Sequence, residues 1–126
     1  MNAQRATPRP VILLVEDDPF IRWESADALR QAGFAVLEAA DADSAMAILQ
    51  SRGDVSLLFT DVEMPGVIDG LELARRARDM WPTLRILVTS GRCAPPERTL
   101  PVRGRFVSKP YAQEEILRDI DRMLAA

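Results

Sequence analysis

Short apolar runs of strand length recur along the chain, and stretches with helical periodicity separate them. The runs fall at residues 11–15, 34–39, 56–60, 85–89 and 105–108, and the second is the weakest. Continuous apolar runs of this length are typical of strands buried on both faces, as in a parallel sheet. Strands that alternate with helices form right-handed crossovers onto such a sheet. The pattern therefore predicts an α/β protein with a doubly wound, parallel sheet of five strands.

Four stretches place apolar residues three and four positions apart, and we predict that they form helices. Gly33 ends the first helix, Asp41 or Asp43 caps the second, and Pro82 ends the third. The residues predicted to face the core are, in chain order, Ile21, Ser25, Ala28, Leu29 and Ala32; Ala42, Ala45, Ile48 and Leu49; Leu73, Ala77, Met80 and Trp81; and Ile116, Ile120, Met123 and Leu124.

The interval between Gly91 and Gly104 breaks this alternation, because Pro95, Pro96 and Pro101 fall within it. Proline is tolerated in the first turn of a helix but not in its interior. We therefore predict that the helix between the fourth and fifth strands is short or irregular.

The chain has 126 residues with 16 basic and 19 acidic side chains, a net charge of −3. This length suits one domain, which we place at residues 10–126 after a flexible arm at residues 1–9. The mixed charges leave no basic face for nucleic acid, and the longest apolar run is far too short to cross a membrane. The arm contains no apolar leader, so a cytoplasmic location is expected.

Histidine is absent from the sequence, and Cys93 is its one cysteine. These counts exclude zinc sites built from histidine and cysteine, Ser-His and Cys-His nucleophile pairs, and an internal disulfide. Any chemistry therefore has to use carboxylates, hydroxyls and amines.

Charged and hydroxyl side chains follow the predicted strands, and the carboxyl ends of parallel strands meet at one edge of a sheet. In strand order they are Glu16, Asp17 and Asp18; Asp61 and Glu63; Thr89 and Ser90; and Lys109. A carboxylate cluster repels itself unless a cation neutralises it, and oxygen ligands alone suit Mg²⁺. We therefore predict a magnesium site at this edge. Asp18 is assigned to capping the first helix instead, because it directly precedes Pro19.

These residues resemble the receiver domain of two-component response regulators, over residues 10–124. The matching positions are Glu16 and Asp17 after the first strand; Asp61 followed by Met64, Pro65 and Gly66; Asp69 and Gly70; Thr89; and Lys109 with Pro110. The resemblance implies a flavodoxin-like, three-layer sandwich. It also implies a stand-alone phosphoacceptor protein, since the sequence shows no DNA-binding or catalytic module after the last predicted helix.

The resemblance implies a role for each matched residue. Asp61 would accept the phosphoryl group, Asp17 would bind Mg²⁺ directly, and Glu16 would act on the metal through water. Asp61 and the backbone carbonyl of Glu63 would complete the metal ligands. Thr89 and Lys109 would each stabilise a phosphoryl oxygen, and the peptide bond between Lys109 and Pro110 would be cis.

Partners and switching follow from the same resemblance. The phosphoryl donor would be a sensor histidine kinase or a histidine phosphotransfer protein, and the regulator itself would be a monomer or a weak dimer. Phe106 matches the aromatic position that moves on activation, and we expect it to prefer an inward, apolar site. Trp23 lies nearly opposite the core face of the first helix, so we expect it to be exposed and to contact the donor.

Three features depart from the family pattern, and the first is the proline-rich interval from Gly91 to Gly104, which replaces the family's full-length fourth helix. The loop at residues 66–69 is one residue longer than usual, and Glu63 brings a negative charge to the lip of the site. That charge should repel the phosphate and small anionic donors.

Several readings stay open on the sequence alone. Within the family, the protein could relay phosphate, drain a kinase as a sink, or bind a target when phosphorylated. Outside it, the alternatives are a phosphorylation-independent adaptor and an aspartyl-nucleophile phosphohydrolase. Beyond its own phosphorylation and dephosphorylation, we expect no enzymatic activity.

Overall fold

Five strands and four helices make up the part of the chain that the computed structural model describes, residues 9–64, 66–91 and 104–125. In chain order they are β1 (Val11–Val15), α1 (Pro19–Gln31), β2 (Ala35–Ala39), α2 (Ala42–Ser51), β3 (Val55–Asp61), α3 (Gly70–Met80), β4 (Arg85–Ser90), β5 (Gly104–Ser108) and α4 (Gln113–Ala125). Every predicted strand and helix in this part of the chain is present, with ends that differ by one or two residues.

The strands form one parallel sheet in the order β2-β1-β3-β4-β5. The chain moves outward from β1 to β2, then returns to pair β3 with the other side of β1. This reversal is the topological switch point at which doubly wound sheets bind ligands, just beyond the carboxyl ends of the strands. The predicted fold class is confirmed.

Alternate residues of the central strands pack into two separate cores, because successive side chains of a strand point to opposite faces of the sheet. Leu13 and Val15 pack with α2 and α3 on one face of the sheet. Ile12 and Leu14 pack with α1 and α4 on the other. The described part of the chain is therefore a three-layer sandwich with a pair of helices on each face.

The predicted core faces are correct except at two helix ends. Met80 is 50% exposed, because α3 ends there and Trp81 turns back against the core in its place. Ala32 lies beyond the end of α1 and is also exposed. Ala26 and Ala74, which the periodicity did not single out, are buried because small side chains fit where a helix lies close to the sheet.

Three aspartates begin the helices that lead away from the functional edge. The carboxylate of Asp18 accepts hydrogen bonds from the N–H groups of Phe20 and Ile21, which confirms its capping role. Asp41, not Asp43, caps α2, and Asp69 caps α3. Each cap satisfies N–H groups that the first turn of a helix leaves free, typically worth about 1 kcal/mol.

Two predictions fall on residues that the structure does not describe. These are the short or irregular helix between β4 and β5, within residues 92–103, and most of the arm at residues 1–9. Among the described helices, none combines the length and the apolar character needed to cross a membrane.

Candidate functional site

Four strands bring the candidate residues to one edge of the sheet. Glu16 directly follows β1, Asp61 is the last residue of β3, and Lys109 directly follows β5. Thr89 of β4 lies beside Asp61 in the sheet register and is buried. The sheet therefore assembles residues that are up to 93 positions apart in the sequence, as the strand ends predicted.

Lys109 is the cation of this site. Its ammonium donates a hydrogen bond to Oδ2 of Asp61 at 2.8 Å and lies 3.7 Å from Oε1 of Glu16. The peptide bond between Lys109 and Pro110 is cis, as predicted. The backbone N–H of Lys109 also donates to the carbonyl of Ser90, at 2.8 Å, which ties the end of β5 to the end of β4.

The carboxylates of Glu16, Asp17 and Asp61 form an acidic cluster, with one oxygen from each lying within 4.8 Å of the others. Glu16 and Asp61 are each only 5% exposed, whereas Asp17 is exposed. Within the described residues, Oδ1 of Asp61 is buried and has no hydrogen-bond partner. A buried carboxylate oxygen left in this state is costly, so the cluster has one unused buried acceptor.

Burial dominates the ionisation of the cluster. Desolvation raises the pKa of Asp61 above its ordinary value, and the hydrogen bond and charge of Lys109 offset only part of that shift. The pKa of Glu16 is also raised by burial, against the hydrogen bond from the N–H of Asp18 and the Lys109 charge. For Lys109, burial alone would lower the pKa, but the contacts with Asp61 and the nearby Glu16 charge raise it overall. The three groups therefore form one coupled site with an excess of negative charge.

The start of α3 packs closely against the backbone at the end of β3. The N–H of Gly70 donates to the carbonyl of Val62 at 2.9 Å, and the hydroxyl of buried Thr60 donates to the carbonyl of Asp61 at 3.0 Å. A Cβ atom added to Gly70 would lie 1.8 Å from that same Asp61 carbonyl oxygen. Glycine is therefore required at position 70, because the helix approaches the strand too closely for any side chain. Sequence reasoning noted Gly70 only as part of the resemblance and did not single out Thr60.

Glu63 bends toward the end of β4. Its carboxylate accepts hydrogen bonds from the Ser90 hydroxyl at 2.5 Å and from the Gly91 N–H at 3.2 Å. Its charge is close enough to raise the pKa of Asp61. The side chain thus lies at the lip of the site, where the sequence placed it, and two bonds hold it there. A metal-binding role for its backbone carbonyl stays a prediction.

The whole described site matches one family of known proteins. The sequence model of the family described as "Response regulator receiver domain" matches residues 12–121. The chain belongs to the response regulator receiver domains. It is therefore a phosphoacceptor domain of two-component signalling.

The relatives of this receiver include both stand-alone and larger proteins. It is 38% identical to the response regulator receiver protein CpdR of Brucella abortus, over 91% of this chain and 97% of CpdR. It is also 32% identical to the sensor kinase CckA of the same organism, over 90% of this chain but only 12% of CckA.

Solved structures agree with the fold. The receiver domain of the hybrid histidine kinase CckA superposes with a TM-score of 0.77 at 35% identity, over 90% of this chain and 98% of that one. A CheY-like receiver from Methanospirillum hungatei superposes with a TM-score of 0.84 at 22% identity, over 93% of this chain and 94% of that one.

The acidic cluster of the receiver fits a hard divalent cation. Its donors are carboxylate oxygens alone, two of the three groups are buried, and Oδ1 of Asp61 has no other described partner. Mg²⁺ prefers one or two carboxylates and keeps several waters, so an exposed Asp17 at the rim suits it. The cluster can therefore bind a metal ion.

The two remaining predicted residues of the receiver lie beside the site rather than in it. Phe106 of β5 is half-buried and packs against the core shared with α2 and α3, so its inward position agrees with the sequence prediction. Trp23 of α1 is 63% exposed, also as predicted, with Phe20 at 68% on the same helix. Whether Phe106 switches and Trp23 contacts a partner stay predictions.

Proposed function

We propose that Asp61 of this receiver accepts a phosphoryl group from a phosphohistidine on another protein, in a reaction that requires Mg²⁺. The observation that carries the proposal is the state of the Asp61 carboxylate. It is buried at the end of β3, bonded on one oxygen by Lys109, and free of described partners on the other. A carboxylate so placed is held by Lys109 on one oxygen and keeps the other oxygen available to attack phosphorus.

Each residue has a separate part in the transfer. An oxygen of Asp61 forms a bond to phosphorus while the bond from phosphorus to the donor imidazole nitrogen breaks, and the imidazole keeps that electron pair. Lys109 and the hydroxyl of Thr89 would each stabilise negative charge on the phosphoryl oxygens. Neither needs to change its protonation state.

Glu16, Asp17 and Asp61 would hold the Mg²⁺ ion, with the backbone carbonyl of Glu63 as a further ligand. When bound, the ion would neutralise the phosphoryl oxygens, which lets one anion approach another. Thr89 and Lys109 alone supply a single full positive charge, and the Lys109 charge is already shared between Asp61 and Glu16.

The donor histidine has to lie outside these 126 residues, because they contain no histidine. A histidine kinase or histidine phosphotransfer protein is the donor class we propose, in line with the similarity to the CckA receiver. An open cleft of about 500 Å³ between α1 and the start of α4 leads to Lys109 and is bordered by Ile21 and Tyr111. Trp23, on the same helix, would contact the donor. The cytoplasmic location and a monomeric or weakly dimeric state stay predictions.

A signalling role without turnover of other substrates is the function we favour. Asp61 ends the third strand of the chain, whereas aspartyl-nucleophile phosphohydrolases carry the nucleophile on the first strand. The adaptor alternative is not favoured, because the acceptor, its cation and the acidic cluster are all assembled. Relay, sink and target-binding roles all share the proposed transfer step.

Phosphorylation of the purified chain by its donor protein tests the proposal. We expect incorporation of one phosphoryl group per chain in Mg²⁺, none in EDTA, and none in Asp61→Asn. Asp79→Asn, an exposed position near the end of α3, makes the same chemical change away from the site and should label normally. Labelling that survives Asp61→Asn would refute the assignment.

A further inference from the structure

Arg22 on α1 reaches back to the loop that carries the acidic cluster. Its Nη1 donates a hydrogen bond to the backbone carbonyl of Glu16 at 2.8 Å. Its Nε lies 3.4 Å from Oε1 of Glu38, on the neighbouring strand β2. The side chain is only 22% exposed, so the guanidinium is held between the loop and the strand.

Glu38 is a fixed anchor for this guanidinium. A second arginine of α1, Arg30, lies 3.1 Å from Oε2 of Glu38 and also donates to the carbonyl of Val36 at 3.0 Å. Arg22 and Arg30 therefore form ion pairs with different oxygens of the Glu38 carboxylate. Only Arg22 also contacts the acidic loop.

The carbonyl that Arg22 binds belongs to the peptide group joining Glu16 to Asp17. The rest of this loop is already tied down: the N–H of Glu16 donates to the carbonyl of Ala39, and the N–H of Asp18 donates to the Glu16 carboxylate. The Arg22 bond adds a restraint on rotation of the peptide plane from which Asp17 projects. Asp17 is exposed, so packing does little to orient it.

The charge of Arg22 works against the same site. A guanidinium near a cation site repels the incoming ion, so by charge alone its removal would tighten metal binding. By geometry its removal would weaken binding, because the ligands lose their fixed arrangement. The two effects have opposite signs, which makes them separable by experiment.

We propose that Arg22 is a positioning residue for the metal site, which orients the peptide between Glu16 and Asp17 while Glu38 holds its guanidinium in place. The inference rests on the Mg²⁺ requirement of the proposed function. Under this inference, the affinity of the acidic cluster for Mg²⁺ also depends on Arg22, which lies outside the cluster on α1.

Calorimetric titration of the full chain with Mg²⁺, in the absence of any phosphoryl donor, tests the inference. We expect Arg22→Gln to raise the Kd for Mg²⁺ by about tenfold. This is the lower end of the loss in metal affinity that is typical when a residue that orients metal ligands is removed. Arg22→Lys should be weakened similarly, since one ammonium cannot hold both Glu38 and the Glu16 carbonyl. Arg30→Gln is the matched control: it removes a contact to the same Glu38 without touching the loop, and its Kd should stay within twofold of wild type.

Three results would overturn the inference: an unchanged or tighter Kd in Arg22→Gln, full affinity in Arg22→Lys, or equal weakening in Arg30→Gln. Far-ultraviolet circular dichroism checks that each variant is folded. If Arg22→Gln does not fold, Glu38→Gln carries the test, because it frees the guanidinium without removing its charge and should weaken the Kd several-fold. Failure of the wild-type chain to bind Mg²⁺ is a different result, which would contradict the proposed function itself.

Discussion

At the scale of single residues, Glu63 sets the charge at the mouth of the site. The Ser90 hydroxyl and the Gly91 N–H hold its carboxylate at a fixed place, and from there it raises the pKa of Asp61. We expect this charge to repel a phosphoryl donor that carries its own negative charge. A fixed charge discriminates better than a mobile one, because it cannot swing away as the donor enters.

Glu63→Gln should therefore speed phosphorylation by a small acyl phosphate such as acetyl phosphate. Glutamine has one acceptor oxygen, so the change removes the charge and keeps the hydrogen bond from the Ser90 hydroxyl, at the loss of the longer bond from the Gly91 N–H. Removal of a repulsion on the order of 1 kcal/mol corresponds to about a fivefold higher rate. The measurement is the initial rate of phosphorylation in Mg²⁺ at low ionic strength.

The control for this variant is Asp121→Asn, at an exposed position on α4, which removes one negative charge at a distance. Its rate should match wild type, and added salt should narrow the difference between Glu63→Gln and wild type. Equal rates in Glu63→Gln and wild type would show that the charge does not reach the donor.

At the scale of secondary-structure elements, the contact between α3 and β3 supports Asp61, the proposed phosphoacceptor. The helix begins directly beneath the carbonyl of Asp61, and its approach leaves no room at Gly70 for a side chain. The obstructing atoms are backbone, which cannot move aside as the end of a flexible side chain can. The position of the Asp61 backbone thus depends on where α3 starts.

Gly70→Ala should lower the free energy of unfolding by about 2–3 kcal/mol, within the range for overpacked sites. It should also slow phosphorylation, because relief of the clash shifts the Asp61 backbone. Gly53→Ala is the matched control, since a Cβ atom there meets nothing within 4 Å. Urea unfolding should place this control within about 0.5 kcal/mol of wild type. Similar stability of the two variants would contradict the close approach.

The outer face of α1 allows a second prediction at this scale. Trp23→Ala should reduce transfer from the donor phosphohistidine protein by about tenfold, as loss of an interface anchor does. Phosphorylation by a small acyl phosphate should not change, because Trp23 lies outside the acidic cluster. Met80→Ala, which truncates an exposed apolar side chain on α3, should leave both rates unaltered. An unchanged transfer rate in Trp23→Ala would rule out the anchor role.

At the scale of the whole molecule, the buried carboxylates of the site lower the free energy of unfolding at neutral pH. Burial raises the pKa values of Asp61 and Glu16, so the folded protein holds these groups ionised at neutral pH less readily than the unfolded chain does. Below the unfolded pKa, the Asp61 carboxyl is protonated in both states and costs nothing. As the pH rises from the unfolded pKa through the folded pKa, the carboxyl ionises more readily in the unfolded chain. The free energy of unfolding therefore falls over this pH range.

Asp61→Asn should therefore be more stable than wild type at neutral pH in EDTA, and the difference should shrink toward pH 4. Mg²⁺ should stabilise wild type more than the variant, since by the proposed function the ion would bind the folded acidic cluster. Urea midpoints measured across this pH range, with and without Mg²⁺, check both statements. Asp79→Asn should show neither effect. A less stable Asp61→Asn at neutral pH in EDTA would mean that the Lys109 contact outweighs burial.

The sequence alone determined the order of elements, the parallel sheet and the edge at which Asp61, Glu16 and Lys109 meet. Apolar runs and helical periodicity are local signals, and the geometry of a parallel sheet converts them into a shared edge. The same signals overextended the core face at Met80, because periodicity does not show where a helix stops.

Only the tertiary structure decided which side chains hold that edge in place. Three contacts between separate parts of the fold do this. Gly70 lies against the Asp61 carbonyl, the Ser90 hydroxyl donates to the Glu63 carboxylate, and Arg22 donates to the Glu16 carbonyl. None of them repeats along the chain or changes its hydrophobic pattern. Sequence periodicity reports which face of an element is buried, whereas these bonds depend on the distance and angle at which two packed elements meet.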